Sequence, residues 1–335
     1  MISVILAGGK GVRLWPESTE KRPKQFCDFM GRGSLLNMTL QRLQSLGKLM
    51  VVCGDEQKTP IEAEKNGIEF TVLTEPMGRN TAAAVGLVLA SDDYDHEEVL
   101  GIFPADHYIE NDQEFGKLIH KAEELAKEGY LVTIGITPAY AETGYGYIER
   151  FNEEDSNLVK AFHEKPDLET ALSYVKNGNF FWNAGIFLAT VKKWLGLMEE
   201  HLPALYEKMQ EGTEAYRADY PNYPNISIDY AIAEKCKKMA VLEGDFGWND
   251  IGSWGALAAV LDQDEQGNAL VGDASAIESS GCLGRSSHKK LILFGVDDLV
   301  VVESEDTILV CPKNRSQDIR QVVEYIQVCI DRTND

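Results

Sequence analysis

Short apolar runs rich in β-branched residues alternate along this chain with longer stretches whose apolar positions recur every three or four residues. Ile2 to Leu6, Leu49 to Cys53, Glu69 to Leu73, Val99 to Phe103 and Tyr130 to Ile136 read as strands. Between them, Leu35 to Leu46 and Phe115 to Leu125 carry helical spacing, and Asn80 to Leu89 predicts a helix of small residues that must pack closely. Such alternation predicts an α/β fold with a mixed, mostly parallel sheet flanked by helices. From Tyr145 the rhythm changes to hairpin-like strands, Tyr147 to Phe151 and Leu158 to His163, and a longer aromatic strand, Asn179 to Leu188. Val191 to Gln210 and Ser227 to Lys237 read as helices, the second capped by Ser227. The polar stretch Asp262 to Asn268 marks a boundary between a large domain, 1–262, and a small one, 263–335. The small domain predicts turn-separated strands at Lys290 to Phe294, Leu299 to Val302 and Thr307 to Val310, then a closing helix, Gln317 to Cys329.

Composition narrows the class. A chain of 335 residues with 44% hydrophobic and 26% charged positions is that of a folded, water-soluble protein, long enough for two domains. The formal net charge of -22 excludes non-specific binding to nucleic acid or to an anionic membrane, since both need a basic footprint. Against that field, Lys10, Arg13, Lys21, Arg22 and Lys24 crowd one N-terminal loop, which points to an anionic small ligand. The six cysteines are scattered without zinc or redox spacing and read as reduced, mostly buried thiols. Gly8 and Lys10 interrupt the first apolar run too early for a signal peptide, and no stretch reaches 18 uncharged apolar residues, so a cytoplasmic location is expected.

The loop Leu6-Ala7-Gly8-Gly9-Lys10-Gly11-Val12-Arg13 follows the first strand, and its glycines let backbone N–H groups converge on an oxyanion. A dinucleotide fingerprint would need a third glycine where Leu14 stands, and no Walker sequence occurs anywhere. Two fixed cations, Arg13 and the Lys24 of Pro23-Lys24-Gln25, flank the turn and suit a triphosphate. An ordinary turn with solvated charges is the competing reading.

The segment Leu6 to Phe26 resembles the signature of sugar nucleotidyltransferases, specifically the mannose-1-phosphate guanylyltransferases or GDP-mannose pyrophosphorylases. Further blocks of that family recur in order: Glu75 to Thr81, Phe103 to His107, Glu142 to Ile148, Phe162 to Pro166, Trp182 to Gly185, Ile226 to Asp229 and Gly247 to Trp254. Together they span most of the first 255 residues, and the tail from Gly267 resembles the family's short C-terminal β-helical extension. The resemblance implies a Rossmann-like nucleotide-diphospho-sugar transferase fold with a small β-helical unit and closing helix. It also implies the reaction of GTP with mannose 1-phosphate to give GDP-mannose and pyrophosphate, with Mg²⁺. The length leaves no room for a long C-terminal isomerase domain, so a bifunctional enzyme is not expected.

Each block also has a chemical reading of its own. Asp106 ends an apolar strand and Asp250 lies in a glycine-flanked turn; two such carboxylates suit one Mg²⁺, a role the resemblance assigns to them, although either residue could instead cap a turn. Guanine offers N1–H and a 2-amino group as donors and O6 as acceptor. Glu75, Arg79 and Asn80 supply the matching groups, and the resemblance places this block at the base, with Glu75 expected at the donor edge, Asn80 at O6 and Thr81 beside them; a capping box at Asn80 or Thr81 is compatible with that. Glu164 and Lys165 would take sugar hydroxyls and sugar phosphate, though a Glu-Lys pair alone is usually a surface ion pair. The resemblance adds Gly144, Asn183 and Asp229 around the sugar, with Tyr145, Tyr147 and Trp182 as apolar faces for a pyranose or as plain core. Arg13, Lys24, Lys165, Asp106 and Asp250 are thus the expected catalytic set, and Leu6, Ala7, Gly8, Gly9 and Gly11 the nucleotide cradle. His107 is expected to be structural. Val12 and Ala83 depart from the threonine and proline frequent in relatives, which removes one hydroxyl contact and leaves the cradle. A pyrophosphorylase for dTTP or UTP with glucose 1-phosphate, and a non-catalytic nucleotide-sugar-binding subunit, remain open at this point. The oligomeric state is open too, a homodimer included.

Overall fold

Burial on both faces of Ile2–Leu6 puts that strand at the centre of a nine-stranded sheet in a computed structural model of the chain. The structure describes residues 1–9, 11–151 and 157–333, those from 327 onward as backbone only. The predicted cation Lys10 lies outside the described residues. The chain folds as two compact units: unit 1 holds Met1–Gly8, Thr39–Ala105 and Ile109–Trp248, and unit 2 holds Gly9–Met38, Asp106–Tyr108 and the chain from Asn249.

Unit 1 contains β1 (Ile2–Leu6), β2 (Lys48–Gly54), β3 (Thr71–Glu75), β4 (Val99–Pro104), β5 (Leu131–Ile136), β6 (Tyr147–Arg150), β7 (Val159–His163), β8 (Phe180–Thr190) and β9 (Met239–Gly244). The path runs β9-β5-β8-β4-β1-β2-β3, with β6 beside β8 and β7 beside β6. Ile5 pairs in parallel with Val51 on one side and Phe103 on the other. The strand β8 runs antiparallel to β4, β5 and β6, and β7 antiparallel to β6, so the sheet is mixed and mostly parallel, as expected. The carboxyl ends of β1, β3 and β4 therefore share one edge, where open α/β sheets bind their ligands.

The helix Asn80–Leu89 is buried from Ala82 to Leu89. Its small residues admit Tyr216, whose hydroxyl donates to the Ala83 carbonyl at 3.0 Å; a Cβ on Gly86 would sit 2.1 Å from that hydroxyl oxygen. Two predicted helices are shorter than their patterns. Val191 to Gln210 divides into Val191–His201 and Pro203–Gln210, because Pro203 cannot continue a helix but can begin one. Ser227 does cap, by accepting from Tyr230 N–H, yet the helix spans only Ile228–Ala231 before a 3₁₀ turn. Ile228, Ala231, Ile232 and Ala233 are all buried, so tertiary packing overrides the single-face periodicity there.

In unit 2, β10 (Ala269–Val271), β11 (Ala274–Ile277), β12 (Leu283–Ser286), β13 (Leu291–Phe294), β14 (Leu299–Ser304) and β15 (Thr307–Pro312) precede a helix, Ile319–Thr333. The strands β10, β12 and β14 stack in parallel, as do β11 and β13, with β15 returning antiparallel. Parallel stacking of short, turn-linked strands is the coil of a β-helix. Leu283, Val300 and Val302 from these strands share a core with Leu14, Phe29 and Trp254. Trp254 donates its indole N–H to the Trp15 carbonyl at 2.9 Å and meets Phe29 edge to face at 6.1 Å. Arg285, nearly buried, pairs with Glu17 and donates to the Phe29 and Asp28 carbonyls, both at 3.0 Å. The C-terminal strands thus hold the N-terminal loop inside their own unit. Among the described residues no helix is long and apolar enough to cross a membrane.

Candidate active site

In unit 2, Asp106, Asp250 and Gly11, residues expected around the phosphates and the metal, gather at Lys24. A 3₁₀ turn, Lys24–Phe26, follows Pro23, and it buries the lysine to 5% exposure. Lys24 Nζ lies 3.0 Å from Oδ2 of Asp106 and donates to the main-chain carbonyl of Asp250, 226 residues away in sequence. Gly11 takes a left-handed φ of 54°, and a Cβ there would fall 2.7 Å from the Lys24 nitrogen, so only glycine lets the two ends of the loop touch. Gln25 Nε2 closes the loop by donating to the Gly9 carbonyl at 3.1 Å. Arg13 is exposed on the turn Val12–Leu14.

Burial raises the Asp106 carboxyl, but the Lys24 charge, with help from His107 and the Lys24 hydrogen bond, outweighs it and holds the group below the ordinary carboxylate value. Asp250 Oδ1 accepts from Gly252 N–H at 3.0 Å, which fixes the turn predicted around it. Among the described residues no group of three or more metal-type side chains occurs. Mg²⁺ needs only one or two protein carboxylates, with phosphate and water completing an octahedron, and the carboxylates of Asp106, beside the Lys24 ammonium, and of Asp250, whose main-chain carbonyl that ammonium binds, are hard oxygen donors of that kind. The donor set fits such an ion.

The block expected to read the nucleobase lies in unit 1 and starts at the end of β3. Glu75 is buried, its Oε1 accepts from the Tyr220 hydroxyl, and a Cβ on Gly8 would be 3.0 Å from Oε2. Gly8 and Glu75 are therefore neighbours across the carboxyl edge of the sheet. Burial raises the Glu75 carboxyl, the Tyr220 bond opposes the rise, and the charge of Glu56 adds to it. Arg79 donates to the Pro221 carbonyl. Asn80 opens its helix at a left-handed φ of 64°, with Oδ1 accepting from Thr81 N–H at 2.9 Å, and Thr81 Oγ1 accepts from Ile228 N–H at 2.7 Å.

The residues expected around the sugar also gather in unit 1. Asn183 Nδ2 donates to Asp229 at 2.7 Å, and its backbone N–H donates to the Gly146 carbonyl at 2.8 Å. A Cβ on Gly146 would meet Glu164 Oε2 at 2.5 Å, so this glycine leaves room for the carboxylate. Glu164 pairs with Lys165, which holds a left-handed φ of 45°, an uncommon conformation for a non-glycine residue. Burial raises the Asp229 carboxyl and the Glu164 charge adds to that, against the Asn183 bond and Lys165. Gly144 is exposed and donates its N–H to Glu142 Oε1 at 2.8 Å. Tyr145 stacks edge-on between Trp182 and Trp248, at 5.3 and 5.5 Å, while Tyr147 is wholly buried core.

Tyr220 and its ring neighbours Tyr216 and Tyr223 carry no motif, and only the fold brings Tyr220 to Glu75. Arg285 escaped notice likewise, since a lone arginine in a strand has no local signal. Comparison with known proteins bears on the whole chain. Residues 2–267 match the nucleotidyl transferase family, and residues 272–326 match the MannoseP isomerase/GMP-like beta-helix domain. The mannose-1-phosphate guanylyltransferases of Klebsiella pneumoniae and Escherichia coli are each 37% identical to it over 350 residues, covering 98% of this chain and 74% of theirs. A crystal structure from Thermus thermophilus, described as a mannose-1-phosphate geranyltransferase, matches with a TM-score of 0.89 at 34% identity, covering 97% of this chain and 99% of that one.

Proposed function

Since this chain belongs to the mannose-1-phosphate guanylyltransferase family of sugar nucleotidyltransferases, we propose that it transfers GMP from GTP to mannose 1-phosphate, releasing pyrophosphate and GDP-mannose. The observation that carries the reading is the buried Lys24 ammonium behind a glycine loop, held between the Asp106 carboxylate and the main-chain carbonyl of Asp250.

The attacking group needs no activation by a side chain. A phosphate monoester has its second pKa near about 6 and is already an anion at neutral pH. The protein's work is to hold two anions that repel each other in line and to stabilise charge on the departing pyrophosphate. Lys165 holds the sugar phosphate, with Glu164, Asn183 and Asp229 toward the hydroxyls. Arg13 and Lys24 receive the pyrophosphate. Glu75 accepts from the N1–H and 2-amino edge of guanine. The Asn80 oxygen is engaged by Thr81, so its amide N–H is the group offered to O6. Asp106 and Asp250 would hold Mg²⁺, which supplies charge neutralisation at the phosphates when bound.

Pyrophosphate release over a grid of GTP, dTTP and UTP against mannose and glucose 1-phosphates tests the proposal. A clear optimum at GTP with mannose 1-phosphate is expected. An optimum at dTTP or UTP rejects the roles of Glu75 and Asn80, and nucleotide binding without release in the presence of Mg²⁺ rejects catalysis.

A further inference from the structure

One segment without any recognisable motif fastens the nucleobase block of unit 1. Tyr220 is completely buried, and its hydroxyl donates to Oε1 of Glu75. The Pro221 carbonyl accepts from Arg79, and Ile228 N–H donates to Thr81, so the chain from 220 to 228 grips the block at three points. Tyr220 is held in turn by the rings of Tyr216 and Tyr223, at 5.9 and 5.5 Å. Those two are anchored to backbone, Tyr216 on the Ala83 carbonyl and Tyr223 on the Tyr216 carbonyl, each at 3.0 Å. With Oε1 engaged and Oε2 beside Gly8, the Glu75 carboxylate has one orientation.

We infer that Tyr220 is a positioning residue for nucleobase selection: its hydroxyl, bonded to Oε1, holds the Glu75 carboxylate turned so that Oε2 faces the donor edge of guanine. The inference rests on the reading of Glu75 as the base-binding carboxylate. Charge state matters because a protonated carboxyl would set an O–H against the guanine N–H groups, donor against donor. Burial and the Glu56 charge both push Glu75 toward the protonated form, and the Tyr220 bond works against them. Among the described residues Cys53, Tyr216 and Tyr220 also feel the Glu75 charge. Each of these is pushed upward, Cys53 to about 12, so none of them titrates with Glu75 in the acid range. A purely architectural tyrosine would affect stability without affecting the acid limb of nucleotide binding.

The test measures pyrophosphate release with GTP and with ITP, which lacks the 2-amino group, from about pH 5 to 8. Wild type, Tyr220→Phe, Glu75→Gln and the double variant are compared. Tyr220→Phe keeps the ring packing; it is expected to raise KM for GTP about tenfold with kcat within about twofold, as for one lost hydrogen bond to a charged group. The acid-side rise of that KM moves up by about one pH unit, and the preference for GTP over ITP narrows. In the Glu75→Gln background the same change adds nothing, because its partner is already gone. If Glu75→Gln loses the GTP preference while Tyr220→Phe keeps the wild-type profile and preference, the inference is overturned and the base reading stands. If Glu75→Gln keeps the preference, the base reading fails and takes the inference with it. A Tyr220→Phe change of undiminished size in the Glu75→Gln background also overturns the inference, because the effect then does not run through Glu75.

Discussion

Lys24 Nζ stands 3.0 Å from Asp106 Oδ2 and is the reason a partly buried carboxyl stays below its ordinary pKa. In Lys24→Met the burial remains and the compensating charge is lost, so the Asp106 carboxyl rises. The sign follows directly. A depressed carboxylate is charged above its pKa and loses its contribution as pH falls through it, so raising that pKa brings the loss to higher pH. Turnover is expected to fall at least about tenfold, and the acid limb of kcat/KM to move upward. A Lys24→Met enzyme with wild-type turnover and pH profile removes Lys24 from the site.

Asp250→Asn tests the metal role of the other flank. The turn is held by Gly252 N–H on Oδ1, a bond that the amide oxygen of asparagine also accepts. Folding is therefore expected to be intact by thermal melt, while turnover falls at least about tenfold and a higher Mg²⁺ concentration is needed for half activity. Chelation of the wild type should abolish turnover and added Mg²⁺ restore it. Full activity in excess chelator would contradict the assignment.

Arg285 is expected to matter to both stability and turnover. Its guanidinium, nearly buried, pairs with Glu17 and holds two carbonyls of the segment that also carries Lys24. Arg285→Leu leaves Glu17 as an unpaired, largely buried charge, at a cost of about 3–5 kcal/mol. A urea titration should show the loss, with Arg285→Lys in between because an ammonium cannot fork across both carbonyls. An unchanged midpoint for Arg285→Leu would exclude the clamp.

Gly86→Ala sets two effects of opposite sign against each other. Alanine gains roughly 0.5–1 kcal/mol in a helix interior, but the new methyl would meet the Tyr216 hydroxyl oxygen at 2.1 Å, and overpacking costs about 1–3 kcal/mol or more. The clash wins, so the melting temperature is expected to fall. Adding Tyr216→Phe removes the nearest atom and should recover part of the loss. A melting temperature that stays level in Gly86→Ala means that the helix shifts to make room.

Much of this was legible along the chain. The strand Ile2–Leu6 and the helix Asn80–Leu89 begin and end where their patterns predict, because a continuous apolar run bounded by glycine and a small-residue run opened by asparagine are local signals. The pattern around Ser227 was less informative, since residues buried on all sides carry no period to read. The residues themselves offered candidate cations and carboxylates, while the resemblance named the base block and the metal role.

What the sequence determined by itself was the inventory: an alternating α/β order, a glycine loop with cations set against a strongly acidic field, and two aspartates, Asp106 at a strand end and Asp250 in a glycine-flanked turn. Tertiary structure alone decided who meets whom. Lys24 and Asp250 are 226 positions apart, and Tyr220 stands 145 positions from Glu75, so no local periodicity encodes either contact. It also decided that residues 9–38 and 106–108 pack with the C-terminal strands as one unit. The physical reason is that a hydrogen bond or ion pair between distant positions is specified by the packing of whole elements, Trp254 on Phe29 and Tyr216 on Gly86, rather than by the residues that make it.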